Sequence, residues 1–124
     1  MKIIIRLLKN GSPPAFEPIT LDEGGVEVTV RPIDLSDSSP NWSFEVSLST
    51  HSVKLSEDMV SVSKLVLDSG ETLSPSSWER DPPGGHHRSG ILKFQSTAYR
   101  PKSIEIKIAS VAGVLEREFR WSLN

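Results

Sequence analysis

The chain has no cysteine among its 124 residues. That absence excludes disulfides, thiolate metal sites, cysteine nucleophiles and blue-copper chemistry together, and it leaves either redox compartment open. There is no excess of charge either: 14 Lys and Arg stand against 16 Asp and Glu, interspersed, for a formal net charge of −2. Such a balance carries no electrostatic footprint for nucleic acid or an anionic membrane, so neither is expected as a partner.

Long apolar runs are missing as well. The opening MKIIIRLLKN is interrupted by Arg6, and no small-residue cleavage site follows it. It is too short for a signal-peptide core, and a bilayer span needs about 20 residues. The reading is a β-strand over Lys2 to Leu8, with no signal peptide, no membrane insertion and a cytoplasmic location by default. No window shows the three-four spacing of an amphipathic helix. There is no G-x-S-x-G elbow and no phosphate-cradling glycine motif.

What is present is period-two alternation. Val26, Val28 and Val30 oppose Glu27, Thr29 and Arg31, which describes a half-buried strand that Pro32 ends or marks as an edge. Trp42, Phe44, Val46 and Leu48 repeat the pattern against Ser43, Glu45, Ser47 and Ser49. Over Met59 to Asp68 the apolar parity slips between Val62 and Leu65, which predicts a β-bulge around Ser63 and Lys64. Ile91, Leu92 and Phe94 form a further strand. Ile104, Ile106 and Ile108 alternate with Glu105 and Lys107, and Phe119, Trp121 and Leu123 with Glu118, Arg120 and Ser122.

These strands are separated by Pro, Gly, Ser and Asp turns. They predict an all-β fold, an immunoglobulin-like antiparallel β-sandwich of about seven to eight strands, with an open barrel as the alternative. The length suits a single domain over residues 1–124 that needs no metal to fold. Residues 1–23 are read as an N-terminal strand plus a wrapping arm touching the body through Phe16, Ile19 and Leu21. Trp42, Phe119 and Trp121 fall on inward positions and belong to the core.

The segment Ser77 to Phe94, SWERDPPGGHHRSGILKF, concentrates the unusual chemistry. Pro82 and Pro83 stiffen the backbone and exclude a helix. Gly84 and Gly85 supply adjacent positions where positive φ costs little, so the chain can reverse just ahead of two histidines. Trp78 is read as an anchor or cap for this long loop, Glu71 to Gly90, with an exposed binding patch as the other reading.

Three stretches carry a resemblance: THSV at Thr50 to Val53, SWE with PPGGHHRSGILKF over Ser77 to Phe94, and EREFRW at Glu116 to Trp121. Together they resemble a family of small prokaryotic all-β domains with no known activity, over roughly residues 24–124. The resemblance implies an immunoglobulin-like sandwich and no particular chemistry. Domains of this kind are often joined to exported or membrane-anchored proteins.

The candidate site residues are Trp78, His86, His87 and Arg88 for ligand binding. His51, His86 and His87, with Asp58, Asp81 or Glu79 nearby, are the candidates for a metal such as zinc, copper or nickel. Neighbouring residues of an extended chain point to opposite sides, so His86 and His87 share an ion only if the double glycine curls the loop. A simple hairpin after Thr50 would also leave His86 at the far end of a strand roughly 20 to 30 Å long, away from His51. In a further reading His86, His87 and Arg88 contact an anionic or carboxylate ligand. In the plain structural one the imidazoles bond loop backbone or face solvent. Glu57 with Asp58, and Glu116 with Glu118, read as solvated faces rather than an acid-base pair, because nothing encloses them.

The function expected is therefore a non-enzymatic binding or accessory module that presents the 71–90 loop to a protein or small ligand and needs no cofactor. The alternative is a histidine-based metal-binding protein using zinc or copper.

Overall fold

A computed structural model describes residues 16–123. The strand expected over Lys2 to Leu8, and the arm as far as residue 15, lie outside the described residues; from Ile19 to Glu23 the expected wrapping arm is instead a regular strand, paired antiparallel with Val26–Val30. Among the described residues nine strands and one helical turn occur in the order β1 (Ile19–Glu23), β2 (Val26–Asp34), β3 (Asn41–Thr50), α1 (Met59–Val62), β4 (Ser63–Leu67), β5 (Thr72–Leu73), β6 (Ser77–Arg80), β7 (His87–Gln95), β8 (Ser103–Val111) and β9 (Val114–Ser122). They form two antiparallel sheets. One has five strands in the order β1-β2-β3-β7-β6, the other four in the order β5-β4-β8-β9.

Alternation explains the long strands. Val26, Val28, Val30, Trp42, Phe44, Val46 and Leu48 are all buried, as are Ile104, Ile106 and Ile108 from the second sheet. Side chains from both sheets meet in one apolar cluster. At its centre the rings of Phe44 and Phe94 pack edge to face at 5.7 Å, and Trp121 lies 5.9 Å from Phe44. Each such side chain contributes roughly 1.5–3 kcal/mol of burial. Turning any one of these strands over would expose its whole apolar set, so the register is strongly specified.

Two local expectations are corrected. The parity slip before Leu65 is not a bulge: β4 pairs β8 in unbroken register from Ser63 opposite Ile108 to Leu67 opposite Ile104. Asp58 instead caps a single helical turn, its Oδ1 accepting from the Val60 amide at 3.0 Å, and Val60 and Val62 belong to that turn. Nor is Glu71 to Gly90 one long loop. β5 pairs with β4, β6 pairs with β7, and His87 already lies in β7, so the irregular stretches are short, residues 74–76 and 81–86. Backbone groups beside a strand edge find partners there whatever the side-chain pattern, so strands of two and four residues leave no period-two signal. They raise the strand count above the seven or eight expected. Among the described residues no helix is long and apolar enough to cross a membrane.

Candidate functional site

The site forms where β3 ends and β7 begins. These strands are antiparallel neighbours, with Ser49 opposite His87. Beyond the ladder the pairing continues. The Thr50 amide donates to the His86 carbonyl at 2.9 Å, the Leu55 amide to Gly85 at 3.0 Å, and the Gly84 amide back to Leu55 at 2.6 Å. Gly84 and Gly85 take φ of 120° and 75°, the left-handed region the turn requires.

His51, His86 and His87 are therefore gathered at one end of the fold. The strand-length separation that a simple hairpin after Thr50 would impose on His51 and His86 does not arise. Such a hairpin requires the chain after Thr50 to double back beside β3, but that chain crosses to the other sheet and β7 takes the place.

All three histidines are exposed. The Ser49 hydroxyl and His87 Nδ1 are hydrogen-bonded at 2.9 Å, which ties that imidazole to the sheet. Arg88, the next residue in β7, faces the opposite way and is only 2% exposed. Its Nη1 donates to the carbonyl oxygen of Glu57 at 2.7 Å and more weakly to that of Leu55 at 3.4 Å. Burial pushes the guanidinium below its ordinary pKa, while the carboxylates of Glu57, Asp81 and Asp58 pull the other way. Arg88 is thus an internal clamp on the segment that follows His51. A surface contact for an anionic ligand does not survive that burial.

Trp78 is likewise held rather than offered. Its indole lies across Gly90, donates from Nε1 to the Asp81 carbonyl at 2.6 Å, and stands 5.4 Å from the Arg88 guanidinium carbon. A Cβ at Gly90 would come within 2.5 Å of the ring. Asp81 closes the unit: its amide donates to the Ser89 carbonyl at 3.2 Å and its Oδ2 accepts from the Ser89 amide at 2.9 Å. Arg80, just before it, takes a φ of 115° that a non-glycine residue adopts only under constraint.

Beside the histidines lies an open cleft of about 330 Å³ lined by Asp22, Gly25, Glu27, Ser49, Thr50 and His51. Its floor follows from register. Asp22 stands opposite Glu27, Glu27 opposite Ser49 and Ser49 opposite His87, a row on the outer face that crosses four strands. Thr50, buried beneath, donates to the Gly25 carbonyl at 2.7 Å and accepts from the amides of Ser52 and Val53, which fixes the turn carrying His51. Among the described residues neither Asp22 nor Glu27 enters an ion pair. Two other carboxylates of this face, Glu45 and Glu79, are paired with Arg31 and Lys93.

Among the described residues no three His, Asp or Glu side chains are grouped to hold a metal ion.

No family model, curated protein or solved structure matches the chain.

The functional reading therefore rests on geometry. Sequence reasoning placed His51, His86 and His87 among the candidates but not Asp22, Glu27, Ser49 or Thr50. In the sequence Asp22, Glu27 and Ser49 look like ordinary outward strand or turn residues, and Thr50 like the last inward position of its strand. Only the lateral register of β1, β2, β3 and β7 makes them neighbours.

Proposed function

We propose that this protein is a non-enzymatic binding or accessory module, built on an immunoglobulin-like sandwich, that engages a protein or small ligand through the end bearing His51, His86 and His87. The observation that carries this reading is the exposure of three imidazoles beside one polar cleft on a backbone locked from beneath. Trp78 and Arg88 position that backbone, while His51, His87, Asp22 and Glu27 meet the ligand. Asp22 and Glu27, which form no ion pair among the described residues, favour a ligand carrying a basic group.

The test is an amide chemical-shift titration of the whole chain with a blocked arginine and, separately, a blocked glutamate. The arginine probe is expected to move Asp22, Gly25, Glu27, Ser49, Thr50, His51 and His87, with the response weakened in His51→Ala and Glu27→Gln. Shifts scattered over the surface, or none in this row, would refute the reading. A response to the acidic probe alone at His86 and His87 would favour an anionic ligand instead. The metal-binding alternative draws support from the pairing that brings His86 opposite Thr50, next to His51. Zinc added to the same sample separates it, since a shared ion would move all three histidines together.

A further inference from the structure

Among the described residues four strands stand at sheet edges, and three are guarded. β5 has two residues and β1 five; β6 has four, with Pro75 ahead of it and Pro82 and Pro83 behind. The fourth, β9, runs nine residues without a proline and, among the described residues, pairs only with β8. A long regular edge offers a row of backbone donors and acceptors to another strand.

We infer that β9 is an interaction surface for a second copy of this chain, the two β9 strands pairing antiparallel about a two-fold axis at Glu118. The register follows from two independent requirements. A two-fold perpendicular to the sheet keeps each side chain on its own face only when the axis passes through a residue position, and pairing all of Val114–Ser122 puts that position at the middle residue.

That same register is the one the charges favour. Glu116 falls opposite Arg120 of the second copy, twice by symmetry, on the outer face. Arg120 takes part in no ion pair among the described residues. Glu118 meets its own copy, but each carboxylate has Lys107 Nζ of its own chain at 3.6 Å. On the other face Leu115, 87% exposed and the most exposed large apolar side chain described, comes opposite Trp121 of the second copy. The product is a continuous eight-stranded sheet in which β9 is no longer an edge.

The test is sedimentation equilibrium of the whole chain, up to about 0.2 mM because dimer population depends on concentration. A dimer is expected. Arg120→Glu alone sets two carboxylate pairs face to face and is expected to weaken it at least about tenfold. Glu116→Arg alone should do the same through paired cations, and the double variant Glu116→Arg with Arg120→Glu should restore it. Circular dichroism checks that each variant keeps its fold. A monomer throughout this range overturns the inference, including one that dimerises only after residues 1–15 are deleted, since that result assigns the edge to the chain's own N-terminal segment. So does a dimer that the single variants and the double variant affect alike.

Discussion

Replacing Gly90 by alanine tests whether the indole of Trp78 is the piece that locks the histidine end. The backbone of Gly90 is not in the left-handed region, so alanine meets no φ penalty and should gain about 0.4–1 kcal/mol by restricting the unfolded chain. Against this, the new Cβ would lie 2.5 Å from Cζ2 and 2.7 Å from Cε2 of Trp78, and 2.7 Å from the Glu79 carbonyl oxygen. Ordinary carbon contacts sit near 3.5–4.0 Å, so the ring would have to move by about 1 Å or more.

The ring is not free to do so. Its Nε1 bond to Asp81 is worth about 1 kcal/mol and its contact with Arg88 about 0.5–2 kcal/mol. Overpacking of this kind costs about 1–3 kcal/mol, which less the entropic gain leaves a net loss of up to about 2.6 kcal/mol. Urea unfolding should read that as a lower midpoint at unchanged slope. The same substitution made in Trp78→Ala removes two of the three close contacts and leaves only that with the Glu79 carbonyl, so it should cost clearly less, and amides from Asp81 to Arg88 should shift in Gly90→Ala. Equal cost in both backgrounds, or no cost in the wild-type protein, would refute the locking argument.

Arg88→Met and Arg117→Met should each lose on the order of 2–3 kcal/mol in urea unfolding, because each removes charged hydrogen bonds to buried carbonyls. Arg117 reaches from β9 to Val26 and Glu23 of the other sheet at 3.2 and 2.7 Å, so its loss should loosen the contact between sheets. Only Arg88→Met should also speed amide exchange at Leu55 and Gly84. Asp58 is held below its ordinary carboxylate pKa by the Ser61 hydroxyl and then the Val60 amide. A depressed folded-state pKa means that its contribution is fully present above about pH 4 and disappears as pH falls through the folded value. Asp58→Asn should therefore flatten the acid limb of the stability profile; an unchanged limb would exclude that cap as its source.

Much of the fold was legible because alternation is a one-dimensional signal. Val26 to Val30, Trp42 to Leu48 and Ile104 to Ile108 declare their inward faces without reference to any other strand. The site was legible only in part. The double proline, double glycine and paired histidines marked a shaped turn by composition, yet the same residues hid the difference between His87, which faces outward, and Arg88, which lies inside. One position along a strand reverses the face, and where β7 begins is set by its pairing with β3 rather than by its own residues.

Local chemistry alone determined that this chain is β-structured, that it turns sharply at Gly84 and Gly85, and that histidines follow. Tertiary structure decided which strands lie side by side, and so which distant residues share a surface: Asp22, Glu27, Ser49 and His87 in one row, with His51 just beyond the end of β3. Side-chain alternation specifies a face, but lateral neighbours are chosen by backbone hydrogen bonding and by the fit of the core, and neither is written in any single segment.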